Sequence, residues 1–114
     1  MERIWIEFVE SSLFTASLRQ FSDDRVLESI QNELVQDPVR WPVIRGTNGA
    51  RKGRLADPRS GSGKSGGFRY LYVYFPNRGR IHLLFMFAKH EQANLSAAQK
   101  KVIARMIDVV VKER

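Results

Sequence analysis

The chain has 114 residues, no cysteine and a formal net charge of +7. That length suits a single domain spanning 1–114 with a core that needs no staples, and the missing cysteines exclude disulfides and thiolate metal sites. No apolar run approaches the roughly 20 residues of a membrane span, and the opening stretch alternates charged and apolar side chains instead of building a signal-peptide core, so a cytoplasmic setting is expected.

Residues 3–9 alternate, with Ile4, Ile6 and Phe8 on one side and Arg3, Trp5 and Glu7 on the other, which predicts a half-buried strand. Ser11 and Ser12 offer a cap for a short helix carrying Leu13, Phe14 and Leu18 and reaching towards Phe21. A second helix is expected from Ser22, a good N-cap, with Asp23 and Asp24 at the positive end of the dipole. Val26, Leu27, Ile30 and Leu34 give it one apolar stripe, and Asp37-Pro38 and Trp41-Pro42 stop it. From residue 43 glycines punctuate short extended pieces, and 57–67 reads as a Gly/Ser-rich loop. Phe68 to Phe75 and Ile81 to Phe87 are strand signals, the second almost wholly apolar and so central in a sheet. Pro76-Asn77-Arg78-Gly79 is the turn between them. A last helix starts near Asn94 or Ser96, where Ser96 and Gln99 match a capping box, and presents Leu95, Ala98, Val102, Ile103, Met106, Ile107 and Val110 as its core face. The order β-α-α-β-β-β-(β)-α describes an α+β domain with a small, mainly antiparallel twisted sheet packed against helices.

The charge is laid out unevenly. Residues 1–44 carry 4 Lys/Arg against 8 Asp/Glu, residues 45–89 carry 10 against 1, and residues 90–114 carry 5 against 3. A central segment that basic calls for a polyanionic partner. Its residues lie on strand-and-loop sequence, which argues for nucleic acid over a membrane surface. Lys52 and Arg54 point to the same face of a strand; Arg69 lies early on the next strand and Lys89 just beyond the following one, so pairing gathers them at one end of the sheet. Arginine forks match phosphate oxygens, and clustered positive charge lowers the pKa of a lysine towards use as a base. Such a cluster has the means to align and cleave RNA through its own 2′-hydroxyl without metal or cofactor, or simply to bind phosphate. An acidic protein partner is a third use of the same patch.

Gly63-Lys64-Ser65 resembles the end of a P-loop, but the pattern needs glycine where Pro58 stands; Lys64 is better read as a basic contact for a nucleic-acid backbone. Tyr70, Tyr72 and Tyr74 share a strand face and are more often core than a base-stacking surface. His82, on the apolar strand, reads as structural. His90, beside Lys89 and Glu91, is a candidate general acid or base contact. No His/Asp/Glu spacing suggests a metal site.

Three stretches carry a family likeness: Val43-Ile44-Arg45-Gly46-Thr47-Asn48-Gly49-Ala50-Arg51-Lys52-Gly53-Arg54, Gly63-Lys64-Ser65-Gly66-Gly67-Phe68-Arg69-Tyr70, and Phe87-Ala88-Lys89-His90-Glu91 with Leu95. In their order and spacing the chain resembles the RelE/HigB-like toxins of bacterial type II toxin–antitoxin modules, the HigB-like branch in particular. The resemblance implies an endoribonuclease acting on mRNA in the ribosomal A site and neutralised by an antitoxin, here a helix-turn-helix protein of HigA type. It implies that Lys52 or Arg54 helps activate the 2′-hydroxyl, that Arg69 holds the scissile phosphate, and that Lys89 serves the leaving side, with His90 beside it. Arg45, Arg51, Lys64 and Phe87 are the expected RNA contacts. RelE itself stacks a late tyrosine on a base; no tyrosine follows Tyr74 here, and Phe87 and His90 are the candidates for that place. The alternative remains a non-catalytic RNA- or DNA-binding module using the same patch.

Overall fold

The computed structural model describes residues 5–21, 24–56, 67–87 and 94–113. Strand β1 (Glu7–Glu10) leads into helices α1 (Ser12–Phe21) and α2 (Asp24–Gln36). Strands β2 (Arg51–Leu55), β3 (Phe68–Phe75) and β4 (Arg80–Phe87) follow, and helix α3 (Ala97–Lys112) ends the chain. The sheet runs β1-β4-β3-β2; β4 is antiparallel to β3 and parallel to β1. The fold is α+β, a mixed four-stranded sheet packed against three helices.

The first strand begins later than its alternation suggests, at Glu7, and Trp5 is 76% exposed. Ile6 and Phe8 still pack inward. Ser11 then does two jobs: its Oγ accepts from the Phe14 N–H (3.0 Å) and donates to the Leu84 carbonyl (2.6 Å). The cap of α1 is thus also a tie to β4. Helix α2 buries Val26, Ile30 and Leu34, the stripe its spacing calls for. Asp37 ends it by accepting the Val39 N–H (3.2 Å) at its side chain, a turn that competes with the helix ladder. The expected cap of α2, Ser22, lies outside the described residues.

The turn at Pro76 is a short 3₁₀ segment, Pro76–Arg78, closed by Gly79 at φ +60°, a left-handed conformation that suits glycine. Strand β4 is central, as its apolar run predicts, and it carries a bulge: Tyr72 pairs Leu83 while Leu71 pairs Phe85, leaving Leu84 extra. The bulge reverses the strand's parity. Ile81, Leu83 and Met86 all reach one core, while Leu84 and Phe87 reach the other.

That first core lies between the sheet and α1 and α2, where Phe14, Leu18, Val26, Ile30 and Leu34 meet Tyr70, Tyr72, Ile81 and Leu83. Each large side chain so buried contributes on the order of 2 kcal/mol. Tyr70 and Tyr72 therefore serve as core, and their hydroxyls are satisfied there: Tyr70 donates to Glu33 Oε2 (2.8 Å) and Tyr72 to the Pro38 carbonyl (2.9 Å). Helix α3 covers part of the other face through Ile103 and Ile107. Its N-terminus is the capping box expected at Ser96, with Gln99 N–H to Ser96 Oγ (3.1 Å) and Ser96 N–H to Gln99 Oε1 (2.8 Å). Two members of its expected core face are misassigned: Ala98 is exposed and Val102 is 52% exposed, because the helix rolls Ile103 and Ile107 onto the sheet. No helix among the described residues is long and apolar enough to cross a membrane.

Candidate nucleic-acid interface

β2 and β3 pair so that Arg54 lies directly opposite Arg69 and Lys52 opposite Leu71. These residues share the sheet face that also carries α3. Lys52, Arg54 and Arg69 line one hollow of about 260 Å³ with Gly53, Trp41 and Pro42. Among the described residues no carboxylate lines it. Like charges placed directly across a ladder destabilise a sheet; an anion seated between two guanidinium forks reverses that penalty. Arg54 is exposed while Lys52 and Arg69 are half-buried, which gives the hollow a partly sheltered floor and a reachable rim.

The backbone that holds these cations is itself constrained. Gly53 faces the other side of β2, where a Cβ would run into the Tyr70 ring. Tyr70 has no room to give, since it is fully buried and its hydroxyl is bound to Glu33. Gly67, just before β3, lies so close to the Leu55 carbonyl oxygen that a Cβ would overlap it. The close approach of a ring at Gly53 and of backbone at Gly67 leaves no room for a side chain at either position and supports the register that sets Arg54 against Arg69.

The wall formed by Trp41 and Pro42 is assembled from a distance. Arg51 Nη1 donates to the carbonyls of Trp41 (2.6 Å) and Val39 (3.2 Å), and Tyr72 holds the Pro38 carbonyl. Arg40 pairs with Glu33 (3.3 Å) and lies 5.0 Å over the Trp41 ring, at cation–π range. Arg51, expected as an RNA contact, is thus on the opposite face from Lys52 and Arg54 and holds the loop that builds the hollow. Its strand parity, one residue out of step with Lys52, already separates it from the pair.

The remaining expected residues divide. Phe87 sits opposite Arg69 in register, yet it is a buried core residue, its ring edge-on to Phe85 at 4.8 Å; the exposed stacking surface expected of it is absent there. Arg45 is exposed on a turn that docks against α3: Asn48 Nδ2 donates to Asp108 Oδ1 (2.8 Å) and Gly46 lies beside Lys100. It does not line the hollow. Lys64, Lys89 and His90 lie outside the described residues. His82 is buried under α3 with its ring edge-on to Phe75 at 5.6 Å, and burial, with Arg80 adding to it, pushes its pKa below the usual imidazole value. Burial and the neighbouring Glu33 carboxylate raise the Tyr70 hydroxyl far above its ordinary pKa, keeping it a neutral donor. Trp41 and Pro42 line the hollow although their sequence context marks them only as a helix stop; the one local signal of a site is a bulky aromatic in a loop leading into the basic strand.

No protein-family model matches the chain. Among solved structures, the fold is similar to a double arginine-to-alanine variant of the E. coli toxin RelE in the free state, at 15% identity and a TM-score of 0.57, covering 93% of this chain and 98% of that one. It is similar also to the isolated E. coli RelE toxin, at 17% identity and a TM-score of 0.51, covering 90% and 98%. At that identity the likeness is one of fold, and the fold is RelE-like.

Proposed function

We propose that this chain is the toxin of a type II toxin–antitoxin module, of the HigB-like branch, and cleaves mRNA on the ribosome without a metal ion. The observation that carries the reading is the Arg54–Arg69 pair with Lys52 in one hollow that no carboxylate among the described residues lines, set in a RelE-like fold. A phosphodiester seated there meets two forks able to stabilise the charge that develops on its non-bridging oxygens. The RNA's 2′-oxygen attacks phosphorus while its proton leaves to a base; the bond to the 5′-oxygen breaks, and a proton is delivered to that oxygen. The products are a 2′,3′-cyclic phosphate and a 5′-hydroxyl. In this scheme Arg69 holds the scissile phosphate, Lys52 and Arg54 face the attacking hydroxyl, and Lys89 with His90 serves the leaving oxygen. The reading places the protein in the cytoplasm with ribosomes and pairs it with an antitoxin of HigA type.

The test is growth on induction together with primer extension on ribosome-bound transcripts. Growth arrest with new 5′ ends in coding regions is expected, and both effects vanish in a Lys52→Gln/Arg54→Gln/Arg69→Gln variant. Toxicity unchanged in that variant sinks the site assignment. RNA binding with steep salt dependence but intact transcripts would establish the binding-module alternative instead.

A further inference from the structure

Trp41 stands in the wall of the cationic hollow, and its neighbours hold it there. The Lys52 N–H donates to the Pro42 carbonyl (3.3 Å), which lays the loop along the open edge of β2. Arg51 grips the Trp41 carbonyl and Tyr72 the Pro38 carbonyl. The Arg40 guanidinium lies over the ring and is itself paired with Glu33. A side chain fixed in this way costs little further ordering when a ligand is laid against it.

The ring offers the hollow carbon. Its N–H end is sealed from solvent and turned towards the Tyr70 hydroxyl, whereas the residue as a whole is half-buried and lines the hollow. Lys52, Arg54 and Arg69 border the same opening. Strand alternation adds a backbone donor: the Lys52 N–H leaves β2 at its open edge, so the Arg54 N–H, two residues on, leaves at that edge too. A bare anion gains nothing from the aromatic surface. A nucleotide does, because its base carries a π face close to its phosphate, and single strands are held by aromatic rings set beside cationic grooves. Phe87, the residue expected to stack, is buried on β4, two strands away from β2. A base contact at Trp41 thus lies on the other side of the site.

We infer that Trp41 seats the nucleobase next to the phosphate held between Arg54 and Arg69, and that this seat favours a purine. With Arg40 over one face of the ring, the base takes the surface that opens into the hollow. Stacking tolerates any base but grows stronger with its area, so adenine is held better than uracil without any hydrogen-bond readout. Trp41 thereby sets a base preference at one position of the strand. That the strand is RNA, and is cut, rests on the proposed function; the seat itself rests on the ring and the cations around it.

The probe is a short 2′-O-methyl oligoadenylate, which has no free 2′-hydroxyl to attack and so reports binding alone. The chain has two tryptophans, and Trp5 does not line the hollow, so Trp5→Phe leaves Trp41 as the reporter. In that background the oligoadenylate should quench Trp41 fluorescence saturably. It should also bind at least about tenfold tighter than the same sugar-phosphate chain without bases, with oligouridylate between the two. Neither measurement alters Trp41, so both decide the matter even where a substitution there lowers stability. Trp41→Leu, followed by anisotropy of fluorescein-labelled probes, should bring the ratio of the two affinities close to one while abasic binding, carried by the cations, stays within about twofold. Trp41→Phe should restore part of the ratio. Binding without quenching, no saturation up to about 1 mM, equal binding of the abasic chain, or a ratio unchanged in Trp41→Leu overturns the inference. Base-dependent quenching that persists while ribosome-bound transcripts stay uncut removes the ribonuclease and keeps the seat. Transcripts cut by a protein whose binding ignores the base keep the ribonuclease and remove the seat.

Discussion

Arg54 and Arg69 face each other across a ladder and neither pairs with a carboxylate among the described residues, an arrangement that costs stability in the empty protein. Replacing one of them should therefore help folding while harming function, the trade expected at binding sites. Arg54→Gln is expected to raise the urea-unfolding free energy by about 0.2–1 kcal/mol and to lower transcript cleavage by about a hundredfold, the usual cost of removing one donor to a developing charge. Unchanged or reduced stability would show that the pair is not strained. Gly53 supports the same site from behind. In Gly53→Ala the new methyl meets the buried Tyr70 ring, and a loss of about 1–3 kcal/mol is expected from overpacking, measured by the same denaturant titration. Lys52 and Arg54 were legible as one face because side chains alternate in a strand, while placing Arg69 on that face needs the β2–β3 register. Arg51 was legible as belonging to the other face by the same rule. Trp41 and Pro42 were not, since nothing local to them states that Arg51 and Tyr72 hold their loop against β2.

At the scale of elements, local chemistry reads well wherever a motif closes on itself. The Ser96/Gln99 capping box holds both its hydrogen bonds, so Ser96→Ala should cost about 1 kcal/mol, seen as a lower unfolding midpoint in urea. The hairpin turn and the apolar stripe of α2 likewise follow from residues within one element. The roll of α3 does not, because its sequence is apolar over more than half a turn and only contact with the sheet selects Ile103 and Ile107. Nor does the β4 bulge, which is a mismatch between two strands. β4 also buries His82, near Arg80, Arg78, Glu113 and Glu7. Its pKa is lower folded than unfolded, so the unfolded chain takes up the proton first as pH falls. Stability from this residue is full above the unfolded value near 6.5 and is lost as pH falls through the folded one. Unfolding midpoints should therefore drop from pH 8 to pH 5, and His82→Leu should flatten that part of the profile. A profile unchanged by the substitution would assign the acid sensitivity elsewhere.

For the whole molecule, charge is the dominant variable. If Lys52, Arg54 and Arg69 each neutralise one phosphate of a single strand, they contribute a slope of about −2 to log K against log salt. The Lys52→Gln/Arg54→Gln/Arg69→Gln variant should lose about that much slope in filter binding to an unstructured RNA; an unchanged slope would move the interface to other cations. By itself the sequence determined the α+β order, the caps of α1 and α3, the central place of β4 and the concentration of positive charge within 45–89, because periodicity, capping and charge are local properties. The tertiary structure decided which cations share a hollow, that Arg51 braces a loop, and that Phe87 and the Tyr70–Tyr72 stripe are core. Each of those depends on strand register, on a bulge or on hydrogen bonds between residues far apart in the chain, and such pairings are set by how whole elements pack.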